Sequence, residues 1–494
     1  MKHLLPFLLL APWHLLLAAE GRPNVLFVIS DDLNYAMSGL GHPDCKTPNL
    51  DAFAKSTVSF THAYCQFPLC GPSRASIMSG QYPATSGVTS NGGSVPENRV
   101  TLPKHFQNHG YWTARVSKIY HMGIPVDIVQ GTSGKDHPPS WNQTHNIAAL
   151  ETMTPGKAED FTNAKAVLSF PEDRQRWHQA QQSGTPYQMP RTVRGHYAVV
   201  EVADKDTGLL ADTMATDKAI EILQDRAGKD DPFFLAVGLV RPHFPFVSTD
   251  STIAPYDAGK LQYPHFPADD YDDIPPQAIN ARMRFPEAPV RKLRRGYFGA
   301  VTYMDQQFGR LLAELDHLDL RQNTIVVFVS DHGYLLGEHQ MWKKTKLWED
   351  AIHVPLFISA PGVPGGKTCH RLVELVDLYP TLAELAGLPA DPGAQGLSLA
   401  PLLRDPTAQR PSKPDALIQI GAGHCLRTER WAYMWYPAKK KNPEAFMLFD
   451  MQNDPGQFTN LASHPDHAPT RTRLHQHLTE RVAQSQPATA GDAR

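Results

Sequence analysis

The run Asn24-Val25-Leu26-Phe27-Val28-Ile29-Ser30 is apolar on both of its alternating faces and is bounded by Pro23 and Asp31. A strand without a polar face is buried on both sides, as in a largely parallel sheet. Pro232-Phe233-Phe234-Leu235-Ala236-Val237-Gly238 and Thr324-Ile325-Val326-Val327-Phe328-Val329-Ser330 repeat this texture, and residues 354–358 give a shorter strand. Between these runs the apolar spacing becomes helical. Residues 48–60 carry Leu50, Phe53, Ala54 and Val58 at helical intervals, and residues 102–109 turn Leu102 and Phe106 inward before Gly110. Residues 210–224 are helical too, and residues 297–315 align Val301, Met304, Phe308, Leu311, Leu312 and Leu315 on one face. Residues 372–385 make a helix closed by Gly387 and Pro389. Buried strands alternating with amphipathic helices predict an α/β fold, a large sheet sandwiched by helices.

Residues 125–208 interrupt this rhythm. They are polar and weakly periodic, which predicts a long insertion of loops and short elements that either walls a substrate or is inert surface. The sequon Asn142-Gln143-Thr144 lies there. Past Arg404 the texture changes again. Pro406, Pro411 and Pro414 read as a linker, followed by strand-like residues 416–420, 431–436 and 446–449 and a polar helix near residues 469–482. The expected division is a large domain over residues 20–404 and a smaller α+β domain over residues 405–494.

Composition narrows the classes. A net charge of −3 argues against a general nucleic-acid binder. At the N-terminus, Lys2, an apolar stretch over residues 4–17 and Leu17-Ala18-Ala19 predict a signal peptide over residues 1–19, cleaved near Ala19. Pro6, Pro12 and His14 and a length short of the ~20 residues of a membrane span argue against an anchor. No other stretch could cross a bilayer, so an exported protein with no stable membrane span is expected. It would be secreted, periplasmic or lysosomal. Five cysteines (Cys45, Cys65, Cys70, Cys369 and Cys425) are an odd count for such a protein. Conversion of one would leave four, for two bridges or none.

Cys65-Gln66-Phe67-Pro68-Leu69-Cys70-Gly71-Pro72-Ser73-Arg74 places a thiol in a Pro/Gly turn that opens into a short helix-compatible segment. Pro72 suits a first helical turn, where free N–H groups would face Cys70, with Arg74 one turn on. That is an anion-binding corner with a potential nucleophile, or else a buried structural cysteine. Asp31-Asp32 and Asp331-His332 follow two of the buried strands, where open α/β sheets hold ligands. Their acids suit a hard cation, though either pair alone is more often a turn or a cap.

Cys70-Gly71-Pro72-Ser73-Arg74 resembles the signature of the type I sulfatases, whose cysteine is oxidised to formylglycine by a maturation enzyme. The remaining motifs follow in order from Asn24 to about Leu461, ending in Phe449-Asp450 and Asn453-Asp454-Pro455. The resemblance implies an alkaline-phosphatase-like sheet and a metal site of Asp31, Asp32, residue 70, Asp331 and His332. Its ion would be Ca2+, with Mg2+ as the alternative. His332 stands where many members have Asn, and in this the chain is similar to the iduronate-2-sulfatase-like branch. The resemblance further implies roles for Arg74, for Lys118 and His121 in Lys118-Ile119-Tyr120-His121, and for His243 in Arg241-Pro242-His243. Lys344 is the sulfate-binding lysine by motif alignment, and Lys343 is the alternative one residue away. The family usually has Gly before Lys118, whereas this chain has Ser117.

The chemistry so implied begins with hydration of the aldehyde at residue 70. Asp331 takes a proton from one hydroxyl, which attacks sulfur while Arg74, Lys118 and Lys344 stabilise the sulfate oxygens. His243 or Lys344 protonates the leaving alcohol, and His121 takes the proton of the second hydroxyl to expel sulfate. The implied substrate is a sulfated carbohydrate, attacked from its chain end, a uronic acid being one candidate. His424, Arg427, Trp431 and Trp435 offer a cation and aromatic faces for sugar, or are ordinary packing. Two other readings stay open: a metal-dependent phosphatase or phosphodiesterase of the same superfamily, and an inactive glycan-binding homologue. The sequence sets no oligomeric state.

Overall fold

The computed structural model describes residues 21–150, 156–161, 170–185, 187, 198–279, 285–439 and 442–487. The expected signal peptide lies outside them. In chain order the strands are β1 (Asn24–Asp31), β2 (Val58–Tyr64), β3 (Trp112–Ser117), β4 (Gln143–His145), β5 (Gly156–Asp160), β6 (Ala198–Val202), β7 (Phe233–Pro242), β8 (Phe246–Thr249) and β9 (Thr324–Ser330). They continue as β10 (Leu335–Leu336), β11 (Trp342–Lys343), β12 (His353–Ser359), β13 (Lys367–Glu374), β14 (Ala416–Ile420), β15 (Gly423–Arg427), β16 (Trp431–Tyr436) and β17 (Ala445–Asp450).

Eight strands form the central sheet in the order β13-β2-β12-β9-β1-β7-β3-β4. β12 runs antiparallel to both of its neighbours, and the other pairs are parallel. β2, β9, β1, β7 and β3 therefore end on one rim. β1, β7 and β9 are buried along their whole length, as their unbroken apolar runs require. Their alternate residues feed two separate cores. Val25, Phe27 and Ile29 pack with Ile77 and Met78 of the helix Cys70–Ser79 and with Leu102 and Phe106 of the helix Leu102–Asn108. Leu26 and Val28 face the other way, toward Met304, Phe308 and Leu311 of the helix Glu287–His317. The sheet is sandwiched by helices.

Several elements differ from expectation. The helix expected over residues 48–60 stops at Ala54, and Val58, Ser59 and Phe60 enter β2, paired with Ile358, Phe357 and Leu356. Residues 372–374 are the end of β13 and pair with His62, Ala63 and Tyr64, so helix begins only at Leu378. In both cases ladder pairing overrides the local apolar spacing. The helix expected from residue 297 begins ten residues earlier, at Glu287. The insertion contributes β4 to the edge of the central sheet. Its β5 and β6 join β8 in a three-stranded sheet, and it also carries the helix Phe170–Ser183.

β14 to β17 form an antiparallel sheet. One face holds Leu474 and Leu478 of the helix Ala468–Gln484, and the other packs Ile418, Met434 and Phe449 into the central core. Buried charges fasten this sheet to the rest. Lys413 lies 2.6 Å from Glu374 and also meets Asp377, Arg410 lies 2.8 Å from Asp377, and Arg481 reaches Glu374 at 3.3 Å. All five cysteines are buried and free, so of the two expected arrangements no bridge is the one found. Among the described residues no helix is long and apolar enough to cross a membrane.

Candidate active site

The rim shared by the parallel strands collects the chemistry. β1 delivers Asp31 and Asp32, β9 delivers Asp331 and His332, β3 delivers Lys118, and β7 delivers His243. The turn after β2 delivers Cys70 at the start of the helix Cys70–Ser79, and the β10–β11 hairpin leads to Lys344. Open α/β sheets bind ligands at this end of their strands.

Several backbones are bent to make the rim. Asp32 and Ser117 sit in the left-handed region, at φ 66° and 59°, which favours glycine. That accounts for a glycine preference before the lysine, and here Ser117 carries the same bend. Opposite it, a Cβ on Gly238 would lie 2.1 Å from the Lys118 carbonyl oxygen, so only glycine lets β7 pass. Gly71 is closed in by Asn91, whose side chain accepts from the Gly71 N–H at 2.8 Å and fixes the nucleophile turn.

Arg74, fully buried, ties the strand ends together. Its Nε donates to Asp331 Oδ2 at 2.7 Å, Nη1 donates to the carbonyls of Lys118 and Ile119, and Nη2 lies 3.7 Å from Asp31 Oδ1. Lys118 donates to Asp31, and Lys344 to Asp32. Lys344 Nζ is 3.3 Å and His332 Nε2 is 3.4 Å from Cys70 Sγ. Lys343 points elsewhere, its ammonium 4.7 Å over the Phe244 ring. His121 lies beside Cys70 with its Nδ1 buried and unpaired, and His243 Nε2 is 3.8 Å from Asp32 Oδ2.

The electrostatics favour negative charge at position 70. Burial alone would raise the Cys70 thiol, yet Lys118, Lys344 and His332 bring it well below its ordinary value. Burial and Cys70 also push Asp31 up, but Lys118, His243 and Arg74 hold it below the usual carboxylate range. Burial lifts Asp331 to about 6, although His332 and Arg74 oppose it. His332 reaches about 9 because Asp331 and Cys70 outweigh its burial. Burial lowers His121, with Cys70 opposing and Lys118 helping, which leaves the ring an acceptor at neutral pH.

The donor set fits a cation. Ligand atoms of Asp31, Asp32, Cys70 and His332 all lie within 4.8 Å of one another. Asp31 Oδ1 and Asp32 Oδ2 are buried without any hydrogen-bond partner, a costly state that a cation would relieve. Asp331 stands beside the group. Its Oδ1 accepts from the N–H groups of Asp32 and His332 at 3.2 and 2.9 Å and lies 3.6 Å from His332 Nε2. Carboxylate oxygens suit Ca2+ or Mg2+.

The match with known proteins agrees with this geometry. Residues 23–388 match the model of the family described as Sulfatase. The chain belongs to the sulfatase family. Residues 337–484 of this sulfatase also match the model described as N-sulphoglucosamine sulphohydrolase, C-terminal. It is 32% identical over 426 residues to human iduronate 2-sulfatase, covering 75% of this chain and 70% of that one. It is 30% identical over 470 residues to a sulfatase of Formosa agariphila, covering 90% and 83%. Among solved structures it superposes on the phosphonate monoester hydrolase of Silicibacter pomeroyi with a TM-score of 0.75 at 22% identity, covering 95% and 97% of the two chains. A structure described as a 2-O GAG sulfatase gives a TM-score of 0.68 at 23% identity, covering 94% and 93%. These two likenesses establish the alkaline-phosphatase-like fold. As a sulfatase, the protein is a sulfuric ester hydrolase.

Two supports of the site carry no local sequence signal. Tyr297 donates to the Asp32 carbonyl at 2.7 Å and accepts from the Asn34 N–H at 2.9 Å, bracketing the bent residue from a helix 265 positions away. Arg241, buried, donates to the carbonyls of His243 and Pro245 and shapes the loop that holds His243. Its motif singled out His243 and passed over this arginine. The aromatic and cationic candidates of the C-terminal sheet do not line the rim. Arg427 is spent on Glu349 at 3.1 Å, Trp431 packs in the core under the C-terminal helix, and Trp435 stacks near His424 and meets His475 edge-on.

Proposed function

We propose that this sulfatase releases sulfate from a sulfated carbohydrate, acting at a chain end, with residue 70 as nucleophile after its oxidation to formylglycine. The observation that carries the reading is the Cys70 side chain held between Lys344 and His332, over two carboxylates with unpaired buried oxygens. Relatives named iduronate 2-sulfatase and ulvan-active sulfatase support a carbohydrate ester as substrate.

Oxidised to formylglycine by a maturation enzyme, residue 70 would supply a hydrated aldehyde, with one hydroxyl for attack and a second for release. A divalent cation, Ca2+ before Mg2+, would be held by Asp31, Asp32, residue 70 and His332 with Asp331 beside them, and would offset sulfate charge. The chain's own groups do the rest. Lys118 and Lys344 put positive charge against the nucleophile and the sulfate oxygens. Arg74 holds Asp331 in place, and Asp331, lifted toward neutrality, takes a proton from the attacking hydroxyl. His243, fixed through Nδ1 to the Phe244 carbonyl at 2.6 Å, presents Nε2 to the departing oxygen as proton donor. His121, neutral and beside residue 70, takes the proton that frees sulfate. We further assign residues 20–404 to the catalytic domain and 405–494 to the smaller one, with export directed by residues 1–19.

The test compares 4-nitrophenyl sulfate, 4-nitrophenyl phosphate and a sulfated oligosaccharide labelled at its reducing end, with peptide mass spectrometry of residue 70. Sulfate release from terminal units by protein carrying an aldehyde at residue 70 is expected. Faster phosphate release favours the phosphatase reading, no release favours the inactive homologue, and full activity with an intact thiol overturns the nucleophile.

A further inference from the structure

A cavity of about 460 Å³ opens beside the nucleophile turn, between that turn and the β14–β15 end of the C-terminal sheet. Its wall includes Leu69, the residue before Cys70, and Thr345, the residue after Lys344. The loops that carry them are clamped by a hydrogen bond from the Thr345 N–H to the carbonyl of Pro68, the residue before Leu69, at 3.0 Å. The cavity therefore starts one residue from each of two groups that face the reacting sulfate. Its volume lies in the ~300–1,000 Å³ range of small-ligand pockets. Phe67 and Ile420 give it an apolar floor of the kind sugar rings pack on.

Its charge is one-sided. Among the described residues Lys346 and Lys439 line it, and no carboxylate does. Lys346 is half-buried and donates to the Gln277 carbonyl at 2.9 Å, with no acidic partner among the described residues. Burial alone pushes its ammonium below the ordinary lysine value. Lys118, Lys344 and Lys413, the buried lysines around the site and the end of β13, each have a carboxylate. Tyr436, another wall residue, has a buried hydroxyl without a hydrogen-bond partner. A cation kept from water and given only a carbonyl has unspent capacity for an anion.

We propose that this cavity takes a second acidic group of the sugar substrate, a carboxylate or another sulfate, and that Lys346 selects it. The inference rests on the carbohydrate reading above and deepens it. The enzyme would thereby prefer sugars carrying two anionic groups, one cleaved and one recognised. A charge-assisted hydrogen bond at this site corresponds to a preference of about 10- to 100-fold.

The experiment uses matured, Ca2+-loaded full-length enzyme and three disaccharides: a monosulfated uronic acid disaccharide, the same compound with its carboxyl reduced to the alcohol, and a disulfated disaccharide without a carboxylate. The readout is the ratio of kcat/KM for each acidic compound to that for the reduced one. The expected result is a ratio of about 10 to 100 for at least one acidic compound, falling close to one in Lys346→Met and recovering in part in Lys346→Arg. Which compound shows the ratio tells carboxylate from sulfate. A purely structural role for Lys346 would slow all three compounds alike and leave the ratio unchanged, which overturns the proposal, as does a wild-type ratio near one. In either case the reduced compound is still cleaved and only the cavity assignment falls. If none of the three releases sulfate, the carbohydrate reading falls and takes this one with it.

Discussion

Replacing Lys344 by Met tests the charge arrangement at the nucleophile most directly, because its neighbour supplies a control. Lys344 Nζ lies 3.3 Å from Cys70 Sγ and also bonds Asp32, whereas the Lys343 ammonium sits over the Phe244 ring. At an effective dielectric of ~20, a unit charge 3.3 Å from an anion is worth at most ~5 kcal/mol. Water and the remaining Lys118 charge recover part of that when Lys344 is lost. A net loss of about 3–4 kcal/mol in the transition state is expected, comparable to deleting an oxyanion donor and equal to ~10²–10³ in kcat. Lys343→Met should cost less than about tenfold, since it forfeits a cation–π contact of ~1 kcal/mol. The assay is 4-nitrophenyl sulfate turnover by matured, Ca2+-loaded protein, with thermal unfolding of each variant to confirm that the fold is intact. The reasoning fails if Lys343→Met is the more damaging change, or if Lys344→Met leaves kcat within a few-fold of wild type.

Three further outcomes are expected. Exhaustive chelation should abolish sulfate release, and Ca2+ should restore it at one ion per chain by metal analysis; retained activity or two bound zinc ions would contradict the site drawn here. Gly238→Ala drives a methyl group into the Lys118 carbonyl, which the Arg74 guanidinium also holds, so kcat should fall at least ~10-fold and stability by ~1–3 kcal/mol; wild-type turnover would show that β3 can move aside. Where the C-terminal sheet meets the end of β13, burial pushes Asp377 up, yet Lys413 and Arg410 hold it at about 2, below its unfolded value near 3.8. Its contribution of roughly 2 kcal/mol is therefore complete above pH ~4 and lost as pH falls toward 2. Lys413→Met should remove about 1–3 kcal/mol at neutral pH, because Asp377 and Glu374 lose one buried cation but keep Arg410 and Arg481. Urea midpoints across pH check both effects, and a variant as stable as wild type would refute them.

The rim that carries the candidate site was legible in the sequence because β1, β7 and β9 are buried on both faces and read as unbroken apolar runs. Parallel strands end on one side, so Asp31 and Asp331, 300 positions apart, had to meet once both runs were taken as neighbours in one sheet. The elements that escaped notice mix polar with apolar residues. β2 carries Thr61 and His62, β13 carries His370 and Arg371, and β3 carries Arg115, whose burial is supported by Asp136 2.6 Å away and by Asn146. Tertiary partners make such positions tolerable, and local spacing does not report them. The same holds inside the site. Motif alignment favours Lys344 over Lys343, but what separates the two physically is the register of a two-residue hairpin pair, Leu336 with Trp342 and Leu335 with Lys343, which apolar spacing does not report. The hold of Tyr297 on Asp32 exists only once the helix is packed.

The helix Cys70–Ser79 is buried along its entire length, and Cys70 itself is 1% exposed. Under the maturation proposed for residue 70, a finished fold offers the oxidising enzyme nothing to grip. Biosynthesis then becomes a matter of timing. The segment is open from the moment it is translated until β9 and the hairpin behind it bring His332 and Lys344 down over it. Roughly 250 residues separate Ser79 from β9, and at ~5–20 residues per second their synthesis takes about 10–50 s. Yield of active protein should accordingly follow translation speed and the supply of maturation enzyme during that interval. A chain that folds first is stranded as a well-packed, inactive product that later addition of the same enzyme does not rescue.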